Sequence, residues 1–247
     1  MKIKNIALVG NPNCGKTSLF NTLTGTRQKV ANYAGVTVER KEGSFRLPSG
    51  DAVRVLDLPG TYSLKPSSLD EEVTRAVCLG ELKGEILPDI FICVVDATNL
   101  SLHLSLVLEV RALNRPMILV LNMMDEVKKR GISIDKDKLS QLLGIPVVEA
   151  VAVKTKGIQD LINQLDQKNL FITPYHSELS HFEQVKQITK QVILNNDNGD
   201  KRTAFLDKIF LHPVLGLVIL TLTMFVMFQA VFIWATPFIE FIENFIV

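Results

Sequence analysis

Residues 10–17 hold the most concentrated chemistry in the chain and read GNPNCGKT. The pattern G-x-x-x-x-G-K-[ST], placed between an apolar run and a helical pattern, is typical of a loop that wraps phosphates. Gly10 and Gly15 allow backbone amides to approach phosphate oxygens closely. Lys16 supplies a cation to the β- and γ-phosphates, and Thr17 offers its hydroxyl to Mg²⁺. The residues predicted to contact a nucleotide here are Gly10, Asn11, Pro12, Asn13, Cys14, Gly15, Lys16, Thr17 and Ser18.

A second motif, Asp57-Leu-Pro-Gly60, directly follows the apolar run AVRVL. The carboxylate of Asp57 is placed to hold Mg²⁺ through water, and the Gly60 amide is placed to sense a γ-phosphate. An ordinary turn is the alternative, since Asp and Gly are common in turns. The position of the motif behind a phosphate loop favours the nucleotide interpretation.

A third motif, Asn122-Met-Met-Asp125, follows the apolar run MILVL and indicates which base is bound. A carboxylate accepts hydrogen bonds from guanine N1–H and from the guanine 2-amino group, and adenine lacks that pair of donors. A helix N-cap is the alternative role for Asp125. We expect Asn122, Met123 and Asp125 to line a guanine site. The segment Val151, Ala152 and Val153 belongs to the end of the last predicted strand. A backbone amide of this segment is placed to reach guanine O6.

The segment NYAGVTVER, residues 32–40, lies between the first two motifs and is predicted to be a mobile switch. Thr37 is the candidate that completes the Mg²⁺ shell, and Gly35 and Val36 are candidates for nucleotide contact. A solvent-exposed or strand threonine is the alternative for Thr37. With Lys16 and Gly60, Thr37 makes up the predicted catalytic set.

Strand and helix patterns alternate along residues 1–168, which predicts an α/β fold with a mostly parallel, doubly wound sheet. Ligands of such sheets bind at the carboxyl ends of the strands, where the three motifs lie. Strands are predicted at 3–9, 52–56, 90–95, 117–121 and 147–153. Helices are predicted at 16–23, 69–79, 102–113, 136–143 and 158–165. Residues 169–208 predict a small helical domain and a linker, because apolar residues recur there at helical spacing.

Residues 209–239 contain no Asp, Glu, Lys or Arg. Their central part, residues 214–234, has the length of about 20 residues that a membrane-spanning helix needs. A buried core helix is the alternative. Lys201, Arg202 and Lys208 precede the span, whereas Glu240 and Glu243 follow it, so the positive-inside rule places residues 1–208 in the cytoplasm. Residues 209–247 are therefore predicted to be a first transmembrane helix and the start of a membrane domain.

The composition narrows the remaining classes of protein. The 27 Lys and Arg nearly balance the 26 Asp and Glu, which argues against a nucleic-acid partner. The 3 Cys and 4 His are scattered without the spacing of a transition-metal site. The mean hydropathy of +0.23 is high for a soluble domain and is explained by the single uncharged span.

Together the motifs resemble the bacterial ferrous iron transport protein B family (FeoB). The stretches GNPNCGKTSLFNTLTG and NYAGVTVERKEG are similar to its phosphate loop and first switch, and DLPGTYSLKPSSLDEEVTR is similar to its second switch. NMMD resembles its guanine motif, and FLDKIFLHPVLGLVILTL resembles its entry into the first membrane helix. The similarity extends along essentially the whole chain and is weakest at residues 169–200.

The resemblance implies a P-loop GTPase domain that regulates a multi-pass Fe²⁺ transporter of the bacterial inner membrane, so that the GTP or GDP state of the switches controls iron uptake. It implies GTP/GDP and Mg²⁺ as ligands and a GDP-favouring role for the helical domain at 169–208. The implied partners are the lipid bilayer, the remainder of the membrane domain and a small cytoplasmic accessory protein. Whether the protein forms a homo-oligomer stays open.

In related GTPases with Asn at the position of Asn13, a K⁺ ion bridges the phosphates, so Asn13 is a candidate K⁺ ligand. A loop residue that tolerates an unusual backbone is the alternative. Thr61 stands after Gly60 where a glutamine could orient water, which predicts slow, Mg²⁺-dependent hydrolysis. Two other functions stay open, a nucleotide-gated switch with incidental turnover and a soluble ribosome-assembly GTPase. The uncharged span at residues 214–234 argues against the ribosome-assembly GTPase.

Overall fold

A computed structural model of the chain describes residues 3–25, 28–33, 35–150, 155–167, 179–196 and 201–234, together with residues 237, 241, 242 and 245. The chain divides into two compact units, Met1–Asn196 and Asp197–Val247. The helix that follows residue 180 belongs to the first of these units, with the sheet.

The first unit is built on a seven-stranded sheet. In spatial order its strands are β2 (Gln28–Asn32), β3 (Glu39–Arg46), β4 (Ala52–Asp57), β1 (Asn5–Gly10), β5 (Ile90–Asp96), β6 (Met117–Asn122) and β8 (Val147–Glu149). The five strands from β4 to β8 are mutually parallel, and β3 and β2 extend the sheet in antiparallel pairings. The prediction of a mostly parallel sheet is confirmed, and the structure adds two strands to one edge of it.

Helices cover both faces of the sheet, which is why the central strands are buried on both sides. They are α1 (Lys16–Thr24), α2 (Leu69–Leu79), α3 (Leu100–Arg111), α4 (Met124–Lys129), α5 (Lys136–Leu143), α6 (Thr155–Asp166) and α7 (His181–Val192). Apolar residues of α1 and α6 form one core with the sheet. Those of α2, α3, α4, α5 and α7 form the core on the opposite face.

Helix α7 begins with a capping box, in which Ser180 and Glu183 satisfy each other's backbone amides. Its buried residues Ile188 and Val192 join the core that contains α3 and α5. The strand that follows, β9 (Ile193–Asn196), pairs antiparallel with β7 (Ile132–Ile134) in a small second sheet. The chain beyond the last predicted helix of the sheet domain therefore still packs against that domain.

The second unit contains α8 (Lys201–Phe210) and α9 (Leu215–Gln229), and a π-helical turn (Ala230–Trp234) continues α9. The Nδ1 atom of His212 accepts hydrogen bonds from the amides of Val214 and Leu215 and so caps α9. In the described part of the chain, Leu215–Ile233 is the one helical stretch long and apolar enough to cross a membrane, with a mean hydropathy of 2.3. This agrees with the predicted span within a residue at each end.

Candidate functional site

The phosphate loop joins the end of β1 to the start of α1 and depends on glycine at two positions. A Cβ atom on Gly10 would lie 2.5 Å from the carbonyl oxygen of Val94 on β5. A Cβ atom on Gly15, whose φ is +88°, would lie 2.0 Å from Nδ2 of Asn122. Any larger residue would push the loop away from the strand ends, so the backbone keeps the close curvature that phosphate binding requires.

Asn122 ties the third motif to the first. Its Nδ2 atom donates a 2.9 Å hydrogen bond to the carbonyl oxygen of Cys14, and both groups are buried. Burial raises the pKa of the Cys14 thiol to about 11, so this side chain stays protonated and acts as part of the core. The end of β6 therefore fixes the shape of the loop through a bond that spans 108 residues of sequence.

Lys16, Thr17 and Asp57 converge where β1 and β4 end side by side. The Nζ atom of Lys16 lies 2.5 Å from Oδ1 of Asp57, and the Oγ1 atom of Thr17 donates to Oδ2 at 3.1 Å. Lys16 and Asp57 are both buried. The ammonium, hydroxyl and carboxylate predicted to serve phosphates and Mg²⁺ thus share one small volume.

A polar cavity of about 250 Å³ opens on this cluster. The predicted residues Lys16, Thr17, Asp57 and Gly60 line it. Sequence reasoning missed three further charged lining residues, namely Glu39, Lys41 and Asp70. The pairing of Lys41 with Asp57 across β3 and β4 is what brings the first of the switches to the cavity.

Thr37 lies in the connection between β2 and β3 with its side chain exposed, and it is absent from the cavity lining. Its neighbours Val38 and Glu39 do line the cavity. Gly35 has a φ of +82° and is exposed, and Val36 is half-buried. The structure therefore brings this segment to the site without bringing the Thr37 hydroxyl to Thr17 and Asp57, and the Mg²⁺ role of Thr37 stays a prediction.

The second switch begins at Gly60, which packs against Pro12 so closely that a Cβ atom would lie 3.0 Å from the Pro12 nitrogen. The next side chain, Thr61, is completely buried. Its hydroxyl donates to the carbonyl of Ser63 at 2.6 Å and lies 3.2 Å from Oε1 of Glu71. This hydroxyl is engaged within its own loop and does not point at the cavity.

Glu71 gathers the rest of the loop. Its carboxylate accepts hydrogen bonds from both the amide and the hydroxyl of Ser67, at 2.8 and 2.7 Å. The bonds from Ser67, with those from Tyr62 and Thr61, hold the pKa of Glu71 below its ordinary value. The carboxylate is therefore ionised at neutral pH and folds the switch back on the start of α2.

The predicted base site lies at the start of α4. Met123 adopts a left-handed conformation with a φ of 61° and stands at the N-cap, and Asp125 is half-buried in the first turn. Val151, Ala152 and Val153, predicted to complete the base site, lie outside the described residues. The structure thus places Asp125 one turn beyond the buried Asn122 that holds the phosphate loop.

Two asparagines of the phosphate loop differ in environment. Asn13 is exposed, with a φ of 63° that asparagine tolerates better than most residues. Asn11 is buried, and neither its Nδ2 nor its Oδ1 atom has a hydrogen-bond partner among the described residues. Ser18 is exposed on the first turn of α1. Within the same described residues, no three His, Cys, Asp or Glu side chains are grouped as a metal site.

Comparison with known proteins now decides the family. The family model described as Ferrous iron transport protein B matches residues 4–165, which is more than half of the chain. The chain belongs to the ferrous iron transport protein B family. It is 46% identical over 188 residues to the Fe(2+) transporter FeoB of Salmonella typhimurium, and the match covers 74% of this chain and 23% of that relative. The corresponding Escherichia coli K12 protein is 45% identical over the same length, again with 74% and 23% coverage.

The solved FeoB structures share the architecture. The cytosolic domain of L. pneumophila FeoB matches with a TM-score of 0.71 and 32% identity, over 78% of this chain and 100% of that one. The T. maritima FeoB cytosolic domain in its GMPPNP form matches with a TM-score of 0.64 and 33% identity, over 78% and 100%. A GDP-bound variant of the S. thermophilus FeoB G domain matches with a TM-score of 0.61 and 38% identity, over 72% of this chain and 65% of that one. The chain spans less than a quarter of the length of the curated FeoB relatives named above.

Proposed function

We propose that this chain binds and hydrolyses GTP and is the regulatory domain of a bacterial Fe²⁺ transporter. The convergence of Lys16, Thr17 and Asp57 beneath a loop that only glycine can form carries the proposal. Phosphoryl transfer depends mainly on positioning and charge neutralisation, and this cluster supplies both. The FeoB structures in GDP and GMPPNP forms support a guanine nucleotide as the ligand.

Mg²⁺ fits the donors that the cluster presents. A threonine hydroxyl and a carboxylate, 3.1 Å apart, are the hard oxygen ligands that this ion prefers. Thr17 would hold the ion directly, Asp57 would hold it through water, and Thr37 is the proposed third ligand. When bound, Mg²⁺ neutralises charge on the β- and γ-phosphates. Lys16, paired with Asp57 in this structure, would exchange that partner for the phosphates.

The placement of Thr61 supports slow hydrolysis. Its buried hydroxyl is committed to Ser63 and Glu71, so it is not free to orient an attacking water. Backbone groups or another side chain would then position the water. We propose that K⁺ supplies additional positive charge near the phosphates and that the amide oxygen of the exposed Asn13 holds this ion.

The burial of the Thr61 hydroxyl also favours a second candidate function, a nucleotide-gated switch whose turnover is incidental. In that case binding of GTP would rearrange the switches and reset transport, and hydrolysis would only restore the starting state. The two candidates share the nucleotide site and differ in whether the chain accelerates hydrolysis at all.

The membrane setting is also part of the proposal. The apolar helical stretch Leu215–Ile233 would be the first span of a multi-pass inner-membrane protein, with residues 1–208 in the cytoplasm. The lipid bilayer and the rest of the membrane domain would be its partners. A Porphyromonas gingivalis relative named as a fusion of Fe(2+) transport protein A with FeoB, 44% identical over 174 residues, supports a small accessory protein as a further partner. GTP-state control of iron uptake and a GDP-favouring role for residues 169–208 belong to the same proposal.

The test is GTP turnover by the 247-residue chain in detergent, with Mg²⁺ and either K⁺ or Na⁺. We expect slow hydrolysis that K⁺ stimulates and that Lys16→Ala abolishes. Asn13→Gly keeps the left-handed backbone and removes the amide, so it should lose the K⁺ stimulation. Asn114→Gly is the matched control, because Asn114 also has a positive φ, of 52°, outside the site.

Turnover no faster than uncatalysed hydrolysis, with GTP still bound, would replace the enzyme proposal by the nucleotide-gated switch. Full K⁺ stimulation in Asn13→Gly would refute Asn13 as the K⁺ ligand. Failure of the wild-type chain to bind either GTP or GDP would refute both candidates.

A further inference from the structure

One carboxylate on α3 holds the segment that follows Gly60. Glu109 accepts the hydroxyl of Ser63 with both oxygens, at 3.0 and 2.9 Å. Its Oε2 atom also accepts the backbone amide of Leu64 at 2.5 Å. These bonds join residues 45 and 46 positions apart in sequence, so they hold the switch to a helix of the core.

The hydrogen bonds that Glu109 accepts come from Ser63 and Leu64 of the second switch. The residue is half-buried, and it forms no ion pair with any cation in the described part of the chain. A carboxylate that accepts hydrogen bonds from neutral donors binds them about twice as strongly as a neutral acceptor does. Glu109 is therefore satisfied by Ser63 and Leu64, and those two residues are fixed to α3.

The other end of the segment is fixed to the phosphate loop. The amide of Thr61 donates to the carbonyl oxygen of Gly10 at 3.2 Å, and the Thr61 side chain is buried. Residues 61–64 thus have one anchor at each end, the phosphate loop and Glu109, and Glu71 holds Thr61 and Tyr62 between them. Gly60, whose amide is the proposed sensor of the γ-phosphate, directly precedes this segment.

We infer that Glu109 is a positioning residue for recognition of the γ-phosphate, an inference that rests on the proposed GTP function. Without the anchor, Ser63 and Leu64 would lose their attachment to α3, and binding of a γ-phosphate at Gly60 would have to order that end of the segment. GDP has no γ-phosphate and needs no such ordering. Glu109 therefore sets the preference for GTP over GDP, although it lies outside the phosphate cavity.

The experiment compares dissociation constants for GMPPNP and GDP, both with Mg²⁺, on the full chain by titration calorimetry. Glu109→Ala should weaken GMPPNP binding about tenfold, an amount that corresponds to about 1.4 kcal/mol, while GDP binding changes less than about twofold. Glu109→Gln should be intermediate, because its amide oxygen still accepts the Leu64 amide. Glu81→Ala, which removes a surface carboxylate paired with Arg75, is the control and should change neither constant.

Ser63→Ala tests whether Glu109 acts through the switch. If it does, the double variant with Glu109→Ala should lose no more GMPPNP affinity than Glu109→Ala alone. Equal weakening of both nucleotides, an unchanged ratio, or additive effects in the double variant would overturn the inference. If Glu109→Ala does not fold, Glu109→Gln and Ser63→Ala carry the same comparison. Failure of the wild-type chain to bind nucleotide would count against the proposed function instead.

Discussion

Substitution of Gly15 by Ala probes the phosphate loop most directly, and Gly50 supplies a matched control. Both glycines have a φ of +88°. A Cβ atom on Gly15 would lie 2.0 Å from Nδ2 of Asn122, whereas a Cβ atom on Gly50 would meet nothing within 4 Å. The two substitutions therefore share a backbone penalty and differ in the steric clash.

The magnitude follows from these two contributions. A left-handed backbone costs a residue with a Cβ atom about 1–2 kcal/mol, which is the whole effect expected for Gly50→Ala. In Gly15→Ala, Asn122 must also move, and its buried hydrogen bond to the carbonyl of Cys14 is lost. An unsatisfied buried group costs about 1–3 kcal/mol, so Gly15→Ala should lose about 2–5 kcal/mol in all.

Urea unfolding of the two variants, followed by circular dichroism, measures the difference in free energy of unfolding. GDP affinity, measured by calorimetry, should fall sharply in Gly15→Ala and stay unchanged in Gly50→Ala. Equal stability of the two variants would refute the argument that Asn122 confines the loop. So would a Gly15→Ala chain that binds GDP as tightly as the wild type does.

Three further changes test the base site, the edge of the sheet and the second switch. Asp125→Asn should weaken GDP binding at least about tenfold and favour xanthosine diphosphate, measured by competition, because the amide can donate to the 2-oxo group of xanthine. The hydrogen bond from Arg54 holds the pKa of Glu42 below its ordinary value of 4.5, so this stabilisation is complete above that value and lost as pH falls below it. Glu42→Gln should therefore lower the free energy of urea unfolding at pH 7, and this effect should shrink progressively as the pH falls below 4.5. Thr61→Val should cost about 1 kcal/mol in unfolding free energy and leave kcat within about threefold, since the Thr61 hydroxyl faces its own loop.

The sequence predicts the elements that local pattern encodes. The continuous apolar runs at β5 and β6 identify strands buried on both faces, and the structure buries nearly every residue of both. The helices at 69–79 and 136–143 have the predicted bounds, because a cap and a glycine mark their ends. The apolar span is as evident, because no charge interrupts it.

The sequence pattern does not predict the antiparallel edge strands β2 and β3. β3 reads ERKEGSFR, with four charged residues in succession and no apolar run at its start. Arg40 and Glu42 are part of a strand through backbone pairing with β2 and β4, and Arg54 on β4 and Glu85 beyond α2 form ion pairs with them. Such pairings join residues far apart in sequence, and no local periodicity encodes them.

The sequence by itself determined the phosphate loop, the order of the three motifs and the span, since each depends on residue types at fixed short spacing. Only the tertiary structure decided that Lys16 meets Asp57, that Thr61 turns away from the cavity and that Glu109 anchors the second switch. The physical reason is distance along the chain. These contacts close loops of tens of residues, and they form only once the sheet has brought its strand ends and helices together.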